Sequence, residues 1–583
     1  SLIAGNENSF IALNEGLITT NIWDFGDGTI ITNQAYVTHR FATAGTYVVR
    51  IIGYNNSNPE GITTEVVVEV VPEVIIYVDA GSTNPISPYT NWLTAATNIQ
   101  DGINAAVLPG STVLVADGVY DKGVYENDYG TNRIIINKPI TVKSANGPSK
   151  TYIVGDLNGK IRCVWMTNDA VLSGFTLMNG STWFTRGSMQ ASGGGVLGSS
   201  LFATVTNCVL SNNYTRFGGG ACNCSLFNSI IVSNDATYGG AACDSELYSC
   251  ILNYNTASYG GGAYNSTMSN CILSGNYASY YDGGGAYNST LFNCVLSGNL
   301  AIYNGGGGAN STMYNCILNG NTAWSHNNGG GAYNSTLVNC TVSKNYASFY
   351  NGGGCAVSTC VLTNCIVYYN DDYINTVNSN HYNSTFYYSC TTPLPESGFG
   401  NTDAPPVFLD LTNGNYHLAP DSPCIDKGDN SVVQATFTDL DGRQRIIGER
   451  VDIGAYEFDP GDLDSDGMPN EWELVYGLSP TDYRDRDADI DNDGLTNFRE
   501  YLANTNPSDS NDTLKLTTEF APSNLLIIQF KAKANRKYAI EYKDKLEGSW
   551  KRLIEYDSEA NDRVLSITNN LSSEKQFYRV VIP

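Results

Sequence analysis

The sequence predicts an all-β protein whose middle is a parallel β-helix, with smaller β modules at both ends. Two repeated features predict this fold class. A cysteine recurs at intervals of 21 to 25 residues, and an asparagine follows five residues after each repeat position. The cysteines are Cys208, Cys250, Cys271, Cys294, Cys316, Cys340 and Cys365, with Ser229 in the one missing place. A period of this length is typical of a solenoid, in which each coil buries its apolar face against its neighbours.

The composition of the repeat favours strands over helices. Around each cysteine, Cys and Leu or Val stand two residues apart, which places both on one face of a strand. Glycine runs such as 218–220 and 283–285 and Asn-Ser-Thr phrases such as 265–267 separate these segments, and Gly, Asn and Ser disfavour helix. We therefore expect three short strands per coil, with coils about 4.8 Å apart. The repeated asparagines suit tight left-handed turns and can stack through their amides: Asn213, Asn234, Asn255, Asn276, Asn299, Asn321, Asn345 and Asn370.

The repeated cysteines are interpreted as a column of small buried apolar side chains. Metal ligation or a series of disulfides is the alternative, but tetrahedral sulfur sites usually show paired Cys-x-x-Cys spacing. Better disulfide candidates lie outside the column: Cys222, Cys224 and Cys243, or Cys355 and Cys360. The total of 15 cysteines is odd, so at least one has no partner within the chain.

Size and charge exclude several classes of function. The chain has 583 residues, too many for one core, and a net charge of −26, which argues against nucleic acid or an anionic membrane as partner. No apolar run approaches 18 residues, so no membrane span is predicted. The chain starts at Ser1 without a signal-like segment, which suits a processed, exported protein. We expect a secreted protein of a cell surface or matrix.

Residues 1–72 carry the phrase Trp23-Asp24-Phe25-Gly26-Asp27-Gly28, followed by Ala44-Gly45-Thr46-Tyr47. This segment resembles the PKD domain, an immunoglobulin-like extracellular module. The resemblance implies a β-sandwich with Trp23 in its core and a turn at the Gly-Asp-Gly. Such domains act as spacers, adhere or bind glycans, and are not catalytic.

Residues 73–459 begin their repeat region with Trp92-Leu93-Thr94 through Ile99-Gln100 and end with Val451-Asp452-Ile453-Gly454-Ala455-Tyr456-Glu457. Together with the coils, these phrases resemble right-handed parallel β-helix proteins of the pectate-lyase-like fold, including large bacterial surface proteins. Residues 92–107 are predicted to form a short amphipathic helix that caps the first coil. The fold hosts lyases, hydrolases, adhesins and plain rods, so the resemblance implies architecture and not activity.

Residues 460–512 contain two candidate calcium loops with the same spacing. Alternating oxygen ligands wrap a hard cation, a glycine allows the sharp turn, position 7 offers its backbone carbonyl, and a final Glu can bind through both oxygens. The first loop offers Asp462, Asp464, Asp466, Met468, Asn470 and Glu473, and the second offers Asp489, Asp491, Asp493, Leu495, Asn497 and Glu500. The pair resembles thrombospondin type 3 and dockerin calcium repeats, which implies two Ca²⁺ ions that stiffen a linker. A solvated acidic linker is the alternative, and a dockerin-like segment would instead bind a scaffold partner.

Residues 513–583 alternate apolar and polar side chains and are predicted to form a small antiparallel β domain. This segment has 12 Lys and Arg against 9 acidic residues, net +3, whereas residues 1–72 have 2 Arg against 7 acidic residues, net −5. We expect a non-enzymatic structural or adhesive protein that self-associates head to tail through these oppositely charged ends.

A polysaccharide lyase or hydrolase is the alternative function. Few charged side chains lie between residues 193 and 340, and Arg216, Asp235 and Asp244 form the one candidate catalytic group among them. A stripe of aromatic residues could bind sugar rings: Phe217, Tyr238, Tyr259, Tyr281, Tyr303 and Tyr350. The Asn-Ser-Thr phrases, with Asn383-Ser384-Thr385, have the form of glycosylation sites, although polar turn chemistry explains them equally.

Overall fold

The computed structural model describes the chain except residues 1, 6, 12–19, 35, 56–57, 183–188, 325–328, 348–354, 373–379, 435–436, 522–524, 535, 544–549, 571–575 and 583. The fold is nearly all β, as the sequence predicts, and its largest part is a parallel β-helix. One continuous apolar core runs along the inside of the β-helix from Ile76 to Phe386, and smaller cores lie in the two terminal β modules.

The N-terminal module is a β-sandwich. One sheet pairs its strands in the order Leu2–Ile3, Asn58–Val71, Gly45–Asn55, Thr20–Asp24 and Ile30–Thr32, and the other pairs Glu7–Ile11 with Tyr36–Arg40. Trp23, Phe25 and Phe41 are buried between the two sheets, which confirms Trp23 as a core residue. Asp24 and Asp27 accept hydrogen bonds from backbone N–H groups in the Gly-Asp-Gly turn.

The β-helix has four sheets, named here sheets I to IV in the order in which a coil visits them, and all their strands pair in parallel except Tyr125–Asn127, which is antiparallel to Gly130–Ile136. Sheet I contains Gly118–Tyr120, Thr151–Val154, Thr176–Met178, Val209–Ser211, Ile230–Val232, Ile251–Asn253, Ile272–Ser274, Val295–Ser297, Ile317–Asn319, Thr341–Ser343, Ile366–Val367 and Cys390–Thr391. Sheet II contains Tyr214–Phe217, Asp235–Tyr238, Thr256–Tyr259, Tyr277–Ala278, Leu300–Ala301, Thr322–Ala323, Tyr346–Ala347 and Asp371–Asp372.

Sheets III and IV complete the coils. Sheet III contains Tyr125–Asn127, Gly130–Ile136, Arg162–Met166, Val196–Gly198, Ala221–Cys222, Ala242–Cys243, Ala263–Tyr264, Ala286–Tyr287, Gly308–Ala309, Ala332–Tyr333, Val357–Ser358 and His381–Tyr382. Sheet IV contains Ile75–Val78, Thr112–Val115, Thr141–Ser144, Val171–Ser173, Thr204–Thr206, Ser225–Phe227, Glu246–Tyr248, Thr267–Ser269, Thr290–Phe292, Thr312–Tyr314, Thr336–Val338, Val361–Thr363, Thr385–Tyr387 and Gly398–Phe399.

The central coils therefore have four strands, not the three expected from the sequence. The physical reason is that a left-handed residue turns the chain at each of four corners. In one coil these residues are Gly218, Asn223, Asn228 and Ser233, with φ between +48° and +64°. Glycine and asparagine adopt this conformation at low cost, which explains why both recur in every repeat.

The repeated asparagines form a buried hydrogen-bonded ladder just after one of these corners. The backbone N–H of each Asn donates to Oδ1 of the Asn in the next coil, for example Asn255 to Asn276 at 3.0 Å. The side-chain Nδ2 donates to the same oxygen at 3.0 Å. The stacking of these amides is confirmed, but the left-handed residue is the one before each ladder Asn.

The repeated cysteines point inward and are buried, as expected for a column of small apolar side chains. From Cys250 to Cys340, the backbone N–H of each column cysteine donates to the sulfur in the next coil, as from Cys250 to Cys271 at 3.4 Å. Ser229 takes the same place and accepts from Cys208 N–H at 3.1 Å. None of the described cysteines is disulfide-bonded, so the expectation of disulfides among Cys222, Cys224 and Cys243, or between Cys355 and Cys360, is not met.

A short helix covers the first coil. The segment predicted as one helix over 92–107 contains a 3₁₀ turn, Trp92–Thr94, and helix α1, Ile99–Ala105. The helix begins later than predicted because the side chain of Asn98 caps it by accepting from Asp101 N–H at 2.8 Å. Ile99 and Ile103 of α1 are buried in the core of the β-helix.

The segment after the last coil folds back over the outer face of sheet I. It contains the strand pair Phe408–Asp410 and Asn415–Leu418 and a 3₁₀ turn, Asn430–Val432. Tyr416 and Ala455 of this exit segment bury Ile317 of sheet I.

Two short helices and two small sheets complete the chain. Helices α2, Asn470–Tyr476, and α3, Asn497–Ala503, flank a 3₁₀ turn, Asp485–Asp487. The C-terminal sheets pair Thr517–Ala521, Leu525–Ala532 and Arg563–Asn570, and Lys551–Tyr556, Tyr538–Lys543 and Phe577–Val581. A further short 3₁₀ turn, Met189–Ala191, lies within the β-helix.

Candidate metal centre

The two predicted calcium loops have the same backbone conformation. Position 4 of each loop is left-handed, at Ser465 (φ +57°) and Asn492 (φ +60°). Position 6 is a glycine with positive φ, at Gly467 (+90°) and Gly494 (+100°). Each loop then leads directly into a helix that carries the final Glu. This tight curl turns the carboxylates of positions 1, 3 and 5 toward one point.

In the first loop three aspartates converge. One oxygen from each of Asp462, Asp464 and Asp466 lies within 4.8 Å of the others, and all three residues are buried. Asp462 accepts from the backbone N–H groups of Asp466 and Gly467, which fixes the loop around it. Glu473 of α2 is fully buried beside the same group.

Several oxygens of the first loop are buried without a hydrogen-bond partner among the described residues: both of Asp464, both of Glu473 and one of Asp466. Burial, and then repulsion between neighbouring carboxylates, raises the pKa of Asp464 and Asp466 to about 7 and that of Glu473 to about 8. Orphaned carboxylate oxygens at this density fit a hard divalent cation, which would satisfy the oxygens and neutralise their charge. A solvated acidic linker would not bury them.

The second loop repeats this arrangement with more exposure. Asp489, Asp491 and Asp493 converge within the same 4.8 Å limit and are half-buried. Glu500 is fully buried, and burial with the neighbouring aspartates raises its pKa to about 7. Single oxygens of Asp491, Asp493, Glu500 and Asn497 are buried without a partner among the described residues. These oxygens fit a second Ca²⁺ ion.

One further carboxylate joins the first site and was not predicted. Asp485 lies within 4.8 Å of Asp466 and Glu473, and its Oδ1 is buried without a partner among the described residues. Its other oxygen accepts from Ser479 N–H at 2.9 Å. The sequence signal was weak, because Asp485 lies outside the twelve-residue loop.

Two predicted ligand positions differ between the loops. Asn470 Oδ1 accepts from Leu463 N–H at 2.9 Å, so this amide holds the loop closed rather than facing the ion. The equivalent Asn497 leaves its Oδ1 available. Met468 is fully buried and Leu495 half-buried, so their side chains pack while their backbone carbonyls remain the predicted ligands.

The calcium segment contacts its neighbours on both sides. On the β-helix side, Arg443 of the exit segment pairs with Asp462, and Tyr483 Oη donates to Asp410 at 3.2 Å. On the C-terminal side, Arg536 donates to the carbonyl of Tyr501 at 3.1 Å, and Tyr538 Oη lies 3.4 Å from the carbonyl of Ala503. The two candidate ion sites therefore lie at the junction of two β modules.

The candidate catalytic group of the β-helix is not assembled. The described residues contain no ion pair between Arg216 and Asp235 or Asp244. Arg216 instead lies over the ring of Phe217, 5.1 Å from its centroid. Asp244 accepts hydrogen bonds from Cys243 and Asn265. Asp235, the first residue of its sheet II strand, is exposed.

The aromatic stripe forms a stacked column along the axis. The ring centroids of Phe217 and Tyr238 are 5.1 Å apart at 10°, and those of Tyr238 and Tyr259 are 5.5 Å apart at 3°. The column continues through Tyr281 and Tyr303, and Tyr350 lies outside the described residues. Because the rings cover one another, their edges rather than their faces meet solvent, which leaves little room for sugar rings to stack.

The Asn-Ser-Thr phrases occupy corners of the coils. Asn265, Asn288, Asn334 and Asn383 are exposed, whereas Asn310 is half-buried. Their side chains bond from coil to coil, as Asn288 Nδ2 does to Asn265 Oδ1 at 3.0 Å. The serines form a buried column of their own, in which Ser266 N–H donates to Ser289 at 3.1 Å. Turn chemistry thus accounts for these phrases.

Comparison with known proteins supports the assignment of the N-terminal module. Residues 1–68 match the PKD domain family. A PKD domain is typical of extracellular proteins. None of the helices in the described part of the chain is long and apolar enough to cross a membrane. No curated protein sequence is significantly similar to the chain.

Solved structures with β-helices show a distant likeness. Pectate lyase Pel9A is 16% identical, with 66% of this chain and 96% of that chain covered and a TM-score of 0.37. The pectin methylesterase from Aspergillus niger in deglycosylated form is 13% identical, with 57% and 91% covered and a TM-score of 0.17. The β-helix assignment here rests on the strand pairing itself.

Proposed function

We propose that this protein is a non-enzymatic structural or adhesive component of an extracellular surface or matrix, stiffened by two Ca²⁺ ions. The observation that carries the proposal is the paired calcium segment at the junction of two β modules, with buried, unpartnered carboxylate oxygens in both loops. The segment is thrombospondin type 3-like in its spacing. Calcium here would fix the angle between the β-helix and the C-terminal domain.

Each ion would act by tying a loop to the helix that follows it. Glu473 lies within α2 and Glu500 within α3, whereas the three aspartates of each loop precede the helix. The two helices also contact each other, because the rings of Trp472 and Tyr501 meet edge to face at 5.3 Å. Binding of a cation to the folded state alone stabilises that state, by about 2.7 kcal/mol at a hundredfold excess over Kd.

Head-to-tail assembly is supported by two exposed strand edges of opposite charge. The strand Asn58–Val71 pairs along one edge with Gly45–Asn55. On its other edge, within the described part of the chain, Leu2–Ile3 pairs with its last two residues. Its Ile62, Val66 and Val67 are 59%, 53% and 64% exposed. An edge of this kind is a template for strand addition.

The C-terminal domain offers a complementary edge. The strand Lys551–Tyr556 lies at the end of its sheet and begins with two exposed basic residues, Lys551 and Arg552. We infer that this edge pairs with Asn58–Val71 of a second copy, bringing the net +3 domain to the net −5 domain. Head-to-tail contacts that do not close into a ring give filaments.

The test is electron microscopy of the purified protein with calcium and with chelator. Ordered filaments in calcium that come apart in chelator support the proposal. The double variant E473Q/E500Q should behave in calcium as the native protein does in chelator, while the control E471Q, at an exposed site on the same helix, should assemble normally. Single dispersed particles under all conditions would refute assembly.

A second pair of variants tests the strand edge. Val67→Lys places a charge on the proposed contact strand and should abolish filaments without unfolding the PKD domain. Val107→Lys is the matched control, because Val107 is also exposed, at 77%, but lies beside the cap of the β-helix. Equal filament formation by both variants would exclude this edge as the contact.

Polysaccharide binding or cleavage is the alternative function. Its support is the exposed aromatic side of the β-helix, where Tyr264 and Tyr287 form a second stacked column beside the first. The hydroxyl edges of these rings offer hydrogen bonds to a sugar chain. Release of unsaturated sugars from an acidic polysaccharide would establish a lyase, and binding without release would establish a glycan-binding role.

A further inference from the structure

Two cysteines do not belong to the inward column. Cys222 and Cys243 end consecutive strands of sheet III and are direct neighbours in its register. The same outer row holds Leu197 before them and Tyr264 after them. Both sulfurs are covered, because Cys222 is 2% and Cys243 0% exposed and the cluster is packed by Phe217 and Tyr264.

A carboxylate completes a group of three metal-ligating atoms. The sulfurs of Cys222 and Cys243 and a carboxylate oxygen of Asp244 all lie within 4.8 Å of one another. The Cys243 thiol donates to Asp244 Oδ2 at 3.2 Å. Asp244 is exposed, so it forms the entrance to two otherwise covered sulfurs.

The register argues against a disulfide between these cysteines. Neighbouring side chains in one row of a parallel sheet project in the same direction, so their Cβ atoms keep the strand spacing of about 4.8 Å. A disulfide needs about 3.5–4.5 Å between Cβ atoms. Two sulfurs bound to one tetrahedral ion at about 2.3 Å each stand close to 3.8 Å apart, which side-chain rotation can reach without moving the backbone.

A buried positive charge lies near the same sulfurs. Arg162 is fully buried, and its side chain donates to Asn132 Oδ1 and to backbone carbonyls such as that of Ser192. No carboxylate pairs with it among the described residues, and its electrostatic interactions are with Cys222 and Cys163. Two thiolates and one carboxylate carry three negative charges, which would balance the two positive charges of a divalent cation and the one of this guanidinium.

We propose that Cys222, Cys243 and Asp244 bind one thiophilic divalent cation of the zinc class, with water as the fourth ligand. Thiolates select such ions over calcium, and three protein ligands with one open position is an established zinc arrangement. A cysteine binds a metal ion as the thiolate, so the cation must displace the thiol protons of Cys222 and Cys243. Binding therefore releases protons.

The experiment is a titration of the reduced full-length protein with Cd²⁺ in excess calcium, which keeps the two calcium loops saturated. The native protein should take up one equivalent with an ultraviolet sulfur-to-cadmium charge-transfer band, and Zn²⁺ should bleach the band by competition. The C222S and C243S variants should lose the band. The control C271S should retain it, because Ser229 shows that serine fits the inward column.

Asp244→Asn is the variant with the least risk to the fold. Asp244 is left-handed, and asparagine holds the same corner in neighbouring coils at Asn223 and Asn265. D244N should keep the charge-transfer band and weaken the affinity for Cd²⁺ and Zn²⁺ by about tenfold or more. Any one of three results would overturn the proposal. The affinity could be unchanged in D244N, the charge-transfer band could survive in C222S and C243S, or the non-reduced native protein could contain a disulfide between residues 222 and 243.

Discussion

The asparagine ladder supports a quantitative prediction for Asn276→Ala. Asn276 is fully buried, and its Oδ1 accepts from both the backbone N–H and Nδ2 of Asn255 at 3.0 Å. Its Nδ2 donates to the carbonyl of Leu252 at 2.8 Å and to Asn299 Oδ1 at 2.9 Å. Alanine removes all four hydrogen bonds and leaves a cavity in their place.

The cost follows from which groups lose a partner. Asn255 Nδ2 keeps a second bond to the Ile231 carbonyl, and Asn299 Oδ1 keeps the backbone N–H of residue 276. The Asn255 N–H has no such replacement. The unpartnered N–H costs about 1–3 kcal/mol and the small cavity adds about 1 kcal/mol, so the free energy of unfolding of the β-helix should fall by about 2–4 kcal/mol.

Calorimetry of the full chain in calcium is the assay, with hydrogen exchange as the local measurement. A loss of this size lowers the midpoint of the β-helix transition by about 3–6 °C in a domain of this length. The amide of Asn255 should lose its protection from exchange. Cys271→Ser in the same coil is the control and should cost less than about 1 kcal/mol. A midpoint within one degree of the native protein and a protected Asn255 amide would refute the reasoning.

Three further predictions concern the metal site, pH and packing. D485N should lower the calcium affinity of the first loop in a calorimetric titration, whereas D487N, at an exposed neighbouring site, should not. Burial lowers the pKa of His381 below its usual value near 6.5. As the pH falls, the unfolded state therefore binds a proton before the folded state does, and the free energy of unfolding should decrease below about pH 6.5. The H381Q variant should show a smaller decrease. Gly284→Ala should destabilise the β-helix more than Gly298→Ala in a thermal melt, because a Cβ at Gly284 would lie 2.4 Å from a backbone oxygen of the next coil, while Gly298 faces open space.

The coils could be predicted from the sequence because their repeat is dictated by burial. A small cysteine, replaced once by Ser229, and a Leu, Ile or Val two residues later point inward in successive coils, so both must recur at the coil period. The fourth strand escaped prediction because strands such as Tyr277–Ala278 are too short to show alternation. The corner that precedes this strand is visible only in the structure, where the residue before each ladder Asn, for example Tyr254, has a positive φ.

Calcium binding itself stays a prediction, but the convergence of the carboxylates within each loop was predictable, because coordination fixes the spacing of the ligands. Asp485 was not, since it reaches the first ion site through the fold of the 3₁₀ turn and not through a spacing rule. The position of Cys222 and Cys243 on the outer face was equally hidden. Each of these cysteines stands directly before a corner residue, a position from which a side chain can point either inward or outward. Only the sheet register shows that both lie in the outward row.

The position of the ion sites explains why stiffness, rather than local stability, is their expected contribution. Asp462 is held at once by its own loop and by Arg443 of the exit segment. The far end of α3 is held by Tyr538 and Arg536 of the C-terminal domain. If the loops bind calcium as proposed, its removal would leave repelling carboxylates between these anchors, and the loops would open to separate them. The β-helix and the terminal domain would remain folded while their relative orientation loosens, so a filament built through both ends should lose order in chelator before any β module unfolds.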